Sequence, residues 1–405
     1  MTPDLATLAT GHAHSRFGAD VGAHGAAMRA ALAGKRMLVI GGAGSIGAAT
    51  VRAVLPFAPA AVHVIDQDEN GLAELVRDLR SAGLTPRGLD LRLQPLDYGG
   101  GAARRFLAGA GPYDVALHFA ALKHVRSEKD SASILQMIDT NVLKQATLIS
   151  WLAEDGAPAR YFAVSTDKAA NPVNFMGASK RLMEQLIFTD TVTPLGVSTR
   201  TSARFANVAF SAGSLLASWG ERLRKRQPVA VPRDTRRYFV SLAEAAEICL
   251  LAAAALPDRH VAVPAMRPES DLRELAPIAE GFVVAAGFRA AWYEDEAVAR
   301  AAVEDDAAHG AWPVLSTPRD TDGEKPEEEF VGAGETARDV GMAALRGIPQ
   351  RGFDASTLRG VLDELALWVA QPRLRADKEA IAATIARVVP EFHPARRGKS
   401  LDDRM

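Results

Sequence analysis

From residue 35 to about residue 190, short apolar runs alternate with longer amphipathic stretches. The runs RMLVIGG, AVHVIDQ, RLQPLDY, DVALHFAA and RYFAVSTD have the length and apolar content of buried strands, and the stretches between them show helical periodicity. We expect helices near 131–153 and 176–188, and a further strand within VSTRTSARFANVAF. Strands that alternate with helices in this way predict an α/β fold with a doubly wound parallel sheet of the Rossmann kind.

The other segments suggest how the chain is divided. Residues 1–33 form an N-terminal arm whose helix-compatible stretch, DVGAHGAAMRAALAG, ends at a glycine suited to a C-cap. The regular alternation fills 34–208, and a smaller, interleaved substrate-binding lobe is expected at 209–345. A C-terminal tail, 346–405, carries helical periodicity at 355–389 that predicts two helices.

Three histidines in the first segment, His12, His14 and His24, allow two interpretations. They could bind a metal ion, but no carboxylate or cysteine pattern accompanies them. We therefore favour a loose arm or a packing helix, and we predict no metal site in the chain.

Composition and charge exclude several classes of protein. The chain has 405 residues, of which 48% are apolar, and 47 Lys and Arg nearly balance 49 Asp and Glu, so no overall field favours nucleic acid or an anionic membrane. No window reaches the ~18 apolar residues of a membrane span, and the N-terminus lacks a secretory signal pattern, which indicates a cytoplasmic protein. The single cysteine, Cys249, lies in an apolar run, which favours a core position over a nucleophile and fits a reducing compartment.

The stretch VIGGAGSIGAATV predicts a dinucleotide site. It places Gly41, Gly44 and Gly47 between an apolar strand and a helix, where small residues allow backbone N–H groups to approach a pyrophosphate. Asp66 ends the next strand, where a carboxylate accepts hydrogen bonds from ribose hydroxyls and repels a 2′-phosphate, so NAD is favoured over NADP. Asp97 follows the strand RLQPL and is either an adenine contact or a turn residue. The remaining predicted cofactor contacts are Ser45, Ile46, Ala120 and Ala121.

Four segments together resemble one family. GGAGSIG, FAALKHVRSEKD, STDKAANPVNFMGASKR and the stretch from RFANVAFSAGSLL to RRYFVSLAEAAE are similar to the extended short-chain dehydrogenases that act as nucleotide-sugar 4,6-dehydratases, of the capsular polysaccharide and flagellin glycan type. The later TDGEKPEEEF resembles the Gly-Glu-Lys signature that lies near the nucleotide in this family. The resemblance covers about residues 35–335.

The resemblance implies a three-part reaction on UDP-N-acetylglucosamine or GDP-N-acetylglucosamine. The sugar is oxidised at C4 by hydride transfer to the nicotinamide, water is lost across C5 and C6, and the hydride returns to C6, so NAD is regenerated in each turnover. Carried over by motif, Asp167 of Thr166-Asp167-Lys168 would protonate the leaving hydroxyl, and Lys168 would take the C5 proton. This assignment requires that Asp167 start protonated and Lys168 neutral.

The motif departs from the usual pattern at one position. Short-chain dehydrogenases normally carry Tyr-x-x-x-Lys here, but this chain has Met176 four residues before Lys180, and a thioether cannot accept a proton. Lys180 can still hold the nicotinamide ribose, so the 4-hydroxyl proton must pass to Thr166, to Asp167 or to a relayed water. A subgroup of the family that also carries methionine keeps the C5 configuration, and the resemblance therefore implies a retaining product.

Further residues of the resemblance concern the substrate. Asn207 and Arg237 match positions that hold the nucleotide diphosphate, and a guanidinium provides fixed bidentate donors for that task. Lys123 is expected to face the sugar or phosphates, whereas His124 is equally consistent with a structural role. Asn141 resembles the asparagine that kinks a helix and supports a water near the active lysine.

Several alternatives stay open. The basic run 222–226 fits a solvated helix face better than a phosphate site. A 4-epimerase on the same scaffold would need the C4 redox step alone and gives no reason for an adjacent Asp-Lys pair, and a catalytically silent NAD-binding scaffold would bind the cofactor without turnover. The helices near 131–153 and 176–190 resemble helices that pair across dimers, which implies a homo-oligomer, but their apolar faces are equally consistent with core.

Overall fold

The centre of the fold is an eight-stranded sheet in a computed structural model that describes residues 4–123, 128–190, 196, 198–318, 328–371 and 373–394. Its strands, in spatial order, are β14 (Leu345–Pro349), β10 (His260–Pro264), β6 (Thr199–Ala203), β5 (Arg160–Val164), β4 (Val115–His118), β1 (Arg36–Ile40), β2 (Ala61–Asp66) and β3 (Asp90–Pro95). All neighbours are parallel except β14, which pairs antiparallel with β10 at one edge. The predicted doubly wound α/β fold is therefore confirmed.

The sheet is buried on both faces because its central strands are apolar throughout. In β1, Leu38 and Ile40 belong to the hydrophobic core on one face, whereas Met37 and Val39 belong to the core on the other. Successive side chains of a strand point to opposite faces, so this alternation is what a strand covered by two helical layers requires.

Two layers of helices cover the sheet. The first contains α6 (Gly101–Ala110), α7 (Ser131–Ile138), α8 (Lys144–Glu154), α9 (Phe175–Phe188), α16 (Ala355–Ala370) and α17 (Lys378–Ala386). The second contains α2 (Gly18–Ala23), α3 (Gly25–Leu32), α4 (Ser45–Val54), α5 (Glu69–Ser81) and α11 (Leu242–Ala254). Cys249 is fully buried in α11, as predicted, and burial raises the pKa of its thiol.

Two predicted helices differ in detail from the observed ones. The N-terminal stretch is divided into α2 and α3 at His24, where flanking glycines lower helix propensity, and the left-handed glycine is Gly34, one residue beyond the extended C-cap Ala33. The helix expected near 131–153 is present, but a π-helical segment, Asp139–Leu143, joins α7 to α8. Such a widened turn is a recognised cause of a helix kink.

A smaller unit is built around a separate hydrophobic core. Its strands are β7 (Asn207–Val208), β8 (Val229–Pro232), β9 (Arg236–Val240), β11 (Leu272–Glu274), β12 (Arg289–Tyr293) and β13 (Ala311–Thr317), arranged in the order β11-β9-β7 and β12-β13-β8. Its helices are α1 (Leu5–Thr10), α10 (Leu215–Arg224), α12 (Pro268–Asp271), α13 (Leu275–Ala285), α14 (Glu296–Ala301) and α15 (Val303–Ala308). Trp219, Trp312 and Phe282 are buried at its centre.

Two surface features were predicted from the sequence, an exposed basic run at 222–226 and the lack of a membrane span. In the basic run at the end of α10, Arg224 and Arg226 are exposed and form ion pairs with Glu221 and Glu304, as expected for a solvated helix face. Within the described ranges, no helix combines the length and the apolar content that a bilayer crossing requires.

The C-terminal helices cover helices of the first layer. α16 and α17 pack on α7 and α9, and the ring of Phe392 meets Phe175 edge-on at a centroid distance of 5.2 Å. Since α9 is buried along almost its whole length within one chain, its apolar face is core. Subunit pairing stays a prediction, and it would have to use surface that α16 and α17 leave open.

Candidate functional site

The first part of the site is the turn between β1 and α4. Gly41 has φ +78° and donates its N–H to the carbonyl of Ile65 at 2.8 Å, and a Cβ there would lie 2.3 Å from the backbone N of Ala120. A Cβ on Gly47 would lie 2.3 Å from the carbonyl O of Gly41. Gly44 is different, because the nearest heavy atom to its ideal Cβ is 3.6 Å away. Gly41 and Gly47 are thus required by the turn itself, whereas Gly44 borders open space at the start of α4.

Two carboxylates lie where the neighbouring strands β2 and β3 end. Asp66 accepts hydrogen bonds from the backbone N–H of Ala43 at 2.9 Å and of Asp68 at 3.0 Å, so its carboxylate is fixed beside the glycine turn. Asp97 accepts from Lys144 Nζ at 2.6 Å. Burial of Asp97 opposes ionisation, but the hydrogen bonds from Lys144 and from the backbone N–H of Gly99, together with the charge of Lys144, outweigh it and lower the pKa of the carboxyl.

The other predicted cofactor residues lie around the same turn. Ala120 and Ala121 follow β4 after Phe119, with Ala120 next to Gly41, and Ile46 is partly buried in the first turn of α4. The hydroxyl of Ser45 accepts a hydrogen bond from the backbone N–H of Ala212 at 2.9 Å.

Lys123 reaches the same segment from the other side. Its Nζ donates to the carbonyl of Ala212 at 2.8 Å, so the loop before α10 is attached both to the glycine turn and to the segment after β4. His124 lies outside the described residues.

The second part of the site is the end of β5. Thr166 is the N-cap of a 3₁₀ turn, Asp167–Ala169, and its hydroxyl donates to Asp167 Oδ1 at 2.7 Å. Lys168 Nζ lies 3.5 Å from Oδ1 and 3.4 Å from Oδ2 of Asp167. The Asp167 side chain is 6% exposed and that of Lys168 is 33% exposed, so a buried carboxyl is paired with a more accessible amine.

Lys180 and Met176 are both buried on α9, which packs beside this turn. Lys180 Nζ donates to the carbonyl of Val164, the last residue of β5, at 2.9 Å. Burial lowers the pKa of Lys180 to about 8, with Glu184 acting in the opposite direction. The backbone N–H of Met176 donates to the carboxylate of Glu128 at 2.9 Å.

Asn141 connects the segment after β4 with α9. It lies in the π-helical segment, fully buried, and its side chain makes two hydrogen bonds with the backbone of Leu122, at 2.8 Å and 3.0 Å. Its amide also donates to the hydroxyl of Ser179, adjacent to Lys180, at 2.9 Å. The extra backbone residue of a π turn thus places one amide where it can hold both segments.

A third part of the site is organised by a residue that sequence reasoning missed. Glu328 accepts from Asn207 Nδ2 at 2.5 Å and from the backbone N–H of Tyr238 at 3.0 Å, and it forms an ion pair with Arg237 Nε at 3.2 Å. Burial and the negative charge of Asp167 raise the pKa of Glu328 to about 7, opposed by Arg237 and Lys168. Glu328 therefore joins Asn207 to Arg237, and it lies near enough to Asp167 and Lys168 for their charges to act on it. The family signature in TDGEKPEEEF pointed to this segment but did not distinguish among its glutamates.

The described part of the chain holds no group of three or more His, Cys, Asp or Glu side chains placed to bind a metal ion. Of the early histidines, His12 contacts the carboxylate of Glu244 at 2.7 Å, and His24 bonds the carbonyl of Asp20. His14 is exposed.

The fold and the strand-end site together define an α/β protein with a Rossmann-type ligand crevice. Residues 37–290 match the family described as polysaccharide biosynthesis protein, and the chain belongs to this family. It is 35% identical over 220 residues to an uncharacterized membrane protein of Methanocaldococcus jannaschii, a match that covers 54% of this chain and 62% of that protein. It is 27% identical over 221 residues to a UDP-N-acetylglucosamine 4,6-dehydratase (inverting) of Campylobacter jejuni, covering 54% of this chain and 63% of the relative.

The chain thus spans slightly less than two thirds of the length of these relatives. Among solved structures, Pen from Bacillus thuringiensis superimposes with a TM-score of 0.61 at 20% identity, covering 79% of this chain and 87% of that one. Structural similarity at this sequence identity supports the assignment of the fold alone.

Proposed function

We propose that the protein is an NAD-dependent nucleotide-sugar 4,6-dehydratase that converts UDP-N-acetylglucosamine or GDP-N-acetylglucosamine to the 4-keto-6-deoxy sugar. The observation that carries the proposal is the contact between a buried Asp167 and Lys168 at the end of β5, with Lys180 behind it. An adjacent acid and amine are what elimination of water across C5 and C6 needs, whereas epimerisation at C4 has no use for them. The name of the Campylobacter jejuni relative points to the same reaction class, but that relative is an inverting enzyme, so the retention expected here rests on Met176 and the family resemblance.

The residues of the glycine turn fit a bound dinucleotide. The space beside Gly44 and the N-terminus of α4 suit a pyrophosphate, and the fixed carboxylate of Asp66 suits ribose hydroxyls and disfavours a 2′-phosphate. Lys180 would face the nicotinamide end from α9. When bound, NAD would supply a hydride acceptor for C4 of the sugar and a hydride donor for C6.

Transfer of one proton between Lys168 and Asp167 would produce both the acid and the base that the elimination needs. Transfer of a single proton from Lys168 Nζ to Asp167 across 3.4 Å converts an ion pair into a carboxylic acid and a neutral amine. Asp167 would then protonate the leaving C6 hydroxyl, and Lys168 would take the C5 proton. Thr166, bonded to Asp167 at 2.7 Å, would pass on the proton of the 4-hydroxyl, which Met176 cannot accept, unless Asp167 itself or a relayed water takes it.

A product assay tests the reaction. The protein is incubated with UDP-N-acetylglucosamine and, separately, with GDP-N-acetylglucosamine in the presence of NAD, and product mass is followed. Loss of one water is expected with one of the two substrates, and NMR of the product is expected to show retained C5 configuration. An unchanged mass with altered C4 configuration would identify an epimerase, and dinucleotide binding without turnover would identify a silent scaffold.

Variants of the acid–base pair test the roles. We expect Asp167→Asn and Lys168→Ala each to lower dehydratase turnover by about 100-fold or more, the usual scale for a lost general acid or base. Asp363→Asn, an exposed carboxylate on α16, is the matched control and should retain full turnover. Full activity in the Asp167 and Lys168 variants would refute these roles.

A further inference from the structure

Glu328 joins the residues proposed to hold the nucleotide to those proposed to move protons. The side chain of Glu328 is 6% exposed. Its carboxylate is held by Asn207 at the start of β7 and by Arg237 and Tyr238 on β9. The carboxyl also lies close enough to Asp167 and Lys168 for both charges to act on it. A carboxylate buried at such a place needs these partners to offset the cost of its desolvation.

The charged groups around Glu328 come from three elements. Asp167 and Lys168 follow β5, Arg237 lies on β9, and the amide of Asn207 lies at the start of β7. On its own segment, the neighbouring Glu329 is turned elsewhere, to the amide of Asn171 at 2.8 Å. Two carboxyls near one amine and one guanidinium therefore share this pocket.

We propose that Glu328 is a positioning residue of the site, which fixes Asn207 and Arg237 beside the Asp167–Lys168 pair and makes turnover depend on its own charge. The assignment of acid and base roles rests on the proposed dehydratase function. When ionised, Glu328 binds the amide of Asn207 and the guanidinium of Arg237 through charge-assisted contacts, and these contacts weaken when it is protonated. Burial and Asp167 raise the pKa of Glu328 to about 7, so the charge of Glu328 itself changes near neutral pH.

The pH dependence of turnover distinguishes this role from a purely structural one. In wild type, the ionisation of Glu328 should give the kcat/KM profile a step near pH 7, and this step should be absent from Glu328→Gln. Glu328→Asp restores an ionisable carboxyl, so a step should return even if the maximum is lower. Glu329→Gln, one residue along the chain, is the matched control with an unmoved profile. A reduced maximum with the step near pH 7 unchanged in Glu328→Gln would overturn the proposal.

A second measurement does not depend on turnover. Carboxyl-carbon NMR of protein labelled at Glu should show one titration with a midpoint near 7 that is absent from Glu328→Gln. In Asp167→Asn the same midpoint should fall, because the neighbouring charge is gone. If the wild-type protein converts no nucleotide sugar, the dehydratase proposal fails while this titration still decides whether the carboxyls are coupled. A Glu328 midpoint at an ordinary glutamate value, unaffected by Asp167→Asn, would disprove the coupling.

Discussion

At the scale of single residues, the unusual feature is Met176, which occupies a position where a proton-accepting tyrosine is normal in short-chain dehydrogenases. Met176 is 4% exposed in the first turn of α9, and its backbone N–H is already bound by Glu128. A buried thioether contributes volume and apolar contact, which leucine supplies nearly as well. We therefore expect Met176 to act by packing and the proposed proton transfers to belong to its neighbours.

Met176→Leu tests this conclusion. We expect dehydratase turnover within about threefold of wild type and a free energy of unfolding lowered by less than about 1.5 kcal/mol, as for other volume-conserving core changes. Met183→Leu, a fully buried position on the same helix, is the matched control. If Met176→Leu turned over substrate about 100-fold more slowly while Met183→Leu was unaffected, the sulfur would have to take part in the reaction.

At the scale of elements, the turn from β1 to α4 contains two kinds of glycine. Gly41 and Gly47 are needed by the fold itself, whereas Gly44 would be needed only by a bound ligand. A Cβ on Gly47 would collide with the carbonyl of Gly41, whereas a Cβ on Gly44 meets no atom closer than 3.6 Å. Gly44 also has an ordinary extended conformation, with φ −67° and ψ 157°, which alanine adopts without strain.

We therefore expect Gly44→Ala to unfold at the wild-type temperature but to bind NAD at least about tenfold more weakly, because the new methyl group occupies the space given to the pyrophosphate. Gly47→Ala should lower the melting temperature markedly, since backbone must move to relieve a 2.3 Å contact. Thermal unfolding and NAD titration of both variants give the comparison. Unweakened NAD binding by Gly44→Ala would exclude this turn as the pyrophosphate site.

The same turn shows why part of the site could be predicted from sequence. Its strand, glycines and helix are contiguous, so their relation is encoded locally by spacing and periodicity. Glu328 could not be found in this way, since it meets Asn207 across 121 residues of sequence. Asn141 was found through the family resemblance alone, because apolar periodicity is the same for an α-helix and for one interrupted by a single π turn.

At the scale of the whole molecule, a buried charge network ties the sheet to segments from distant parts of the chain. Arg204, fully buried after β6, binds Glu184 on α9 at 2.6 Å and Glu335 at 2.6 Å. Arg181 joins the same two glutamates, and its Nε binds Glu391 beyond α17 at 2.9 Å. Removing one member of such a network leaves a buried charge without compensation, which typically costs about 3–5 kcal/mol.

The network predicts how stability depends on pH. Burial of Glu335 opposes ionisation, but hydrogen bonding and charge from Arg204, with Arg181, hold its pKa at about 2, below the 4.5 of an unperturbed glutamate. The unfolded chain therefore binds this proton first as pH falls, so the stabilisation is complete above about pH 5 and is lost progressively towards pH 2. At about 1.4 kcal/mol per pKa unit, the loss attributable to Glu335 is roughly 3 kcal/mol.

Glu335→Gln removes this titration. We expect the variant to be less stable than wild type at pH 7. The difference in the free energy of unfolding should shrink as pH is lowered from 5, because wild type then loses the stabilisation by ionised Glu335, which the variant lacks at every pH. Urea unfolding at several pH values measures both effects. Glu74→Gln, an exposed glutamate paired with Arg77 on α5, should follow the wild-type curve throughout, since a solvated pair contributes at most about 1 kcal/mol. A gap between wild type and Glu335→Gln that stays constant from pH 7 to pH 3 would mean that Glu335 contributes through packing alone and that its charge does not hold the sheet to the tail.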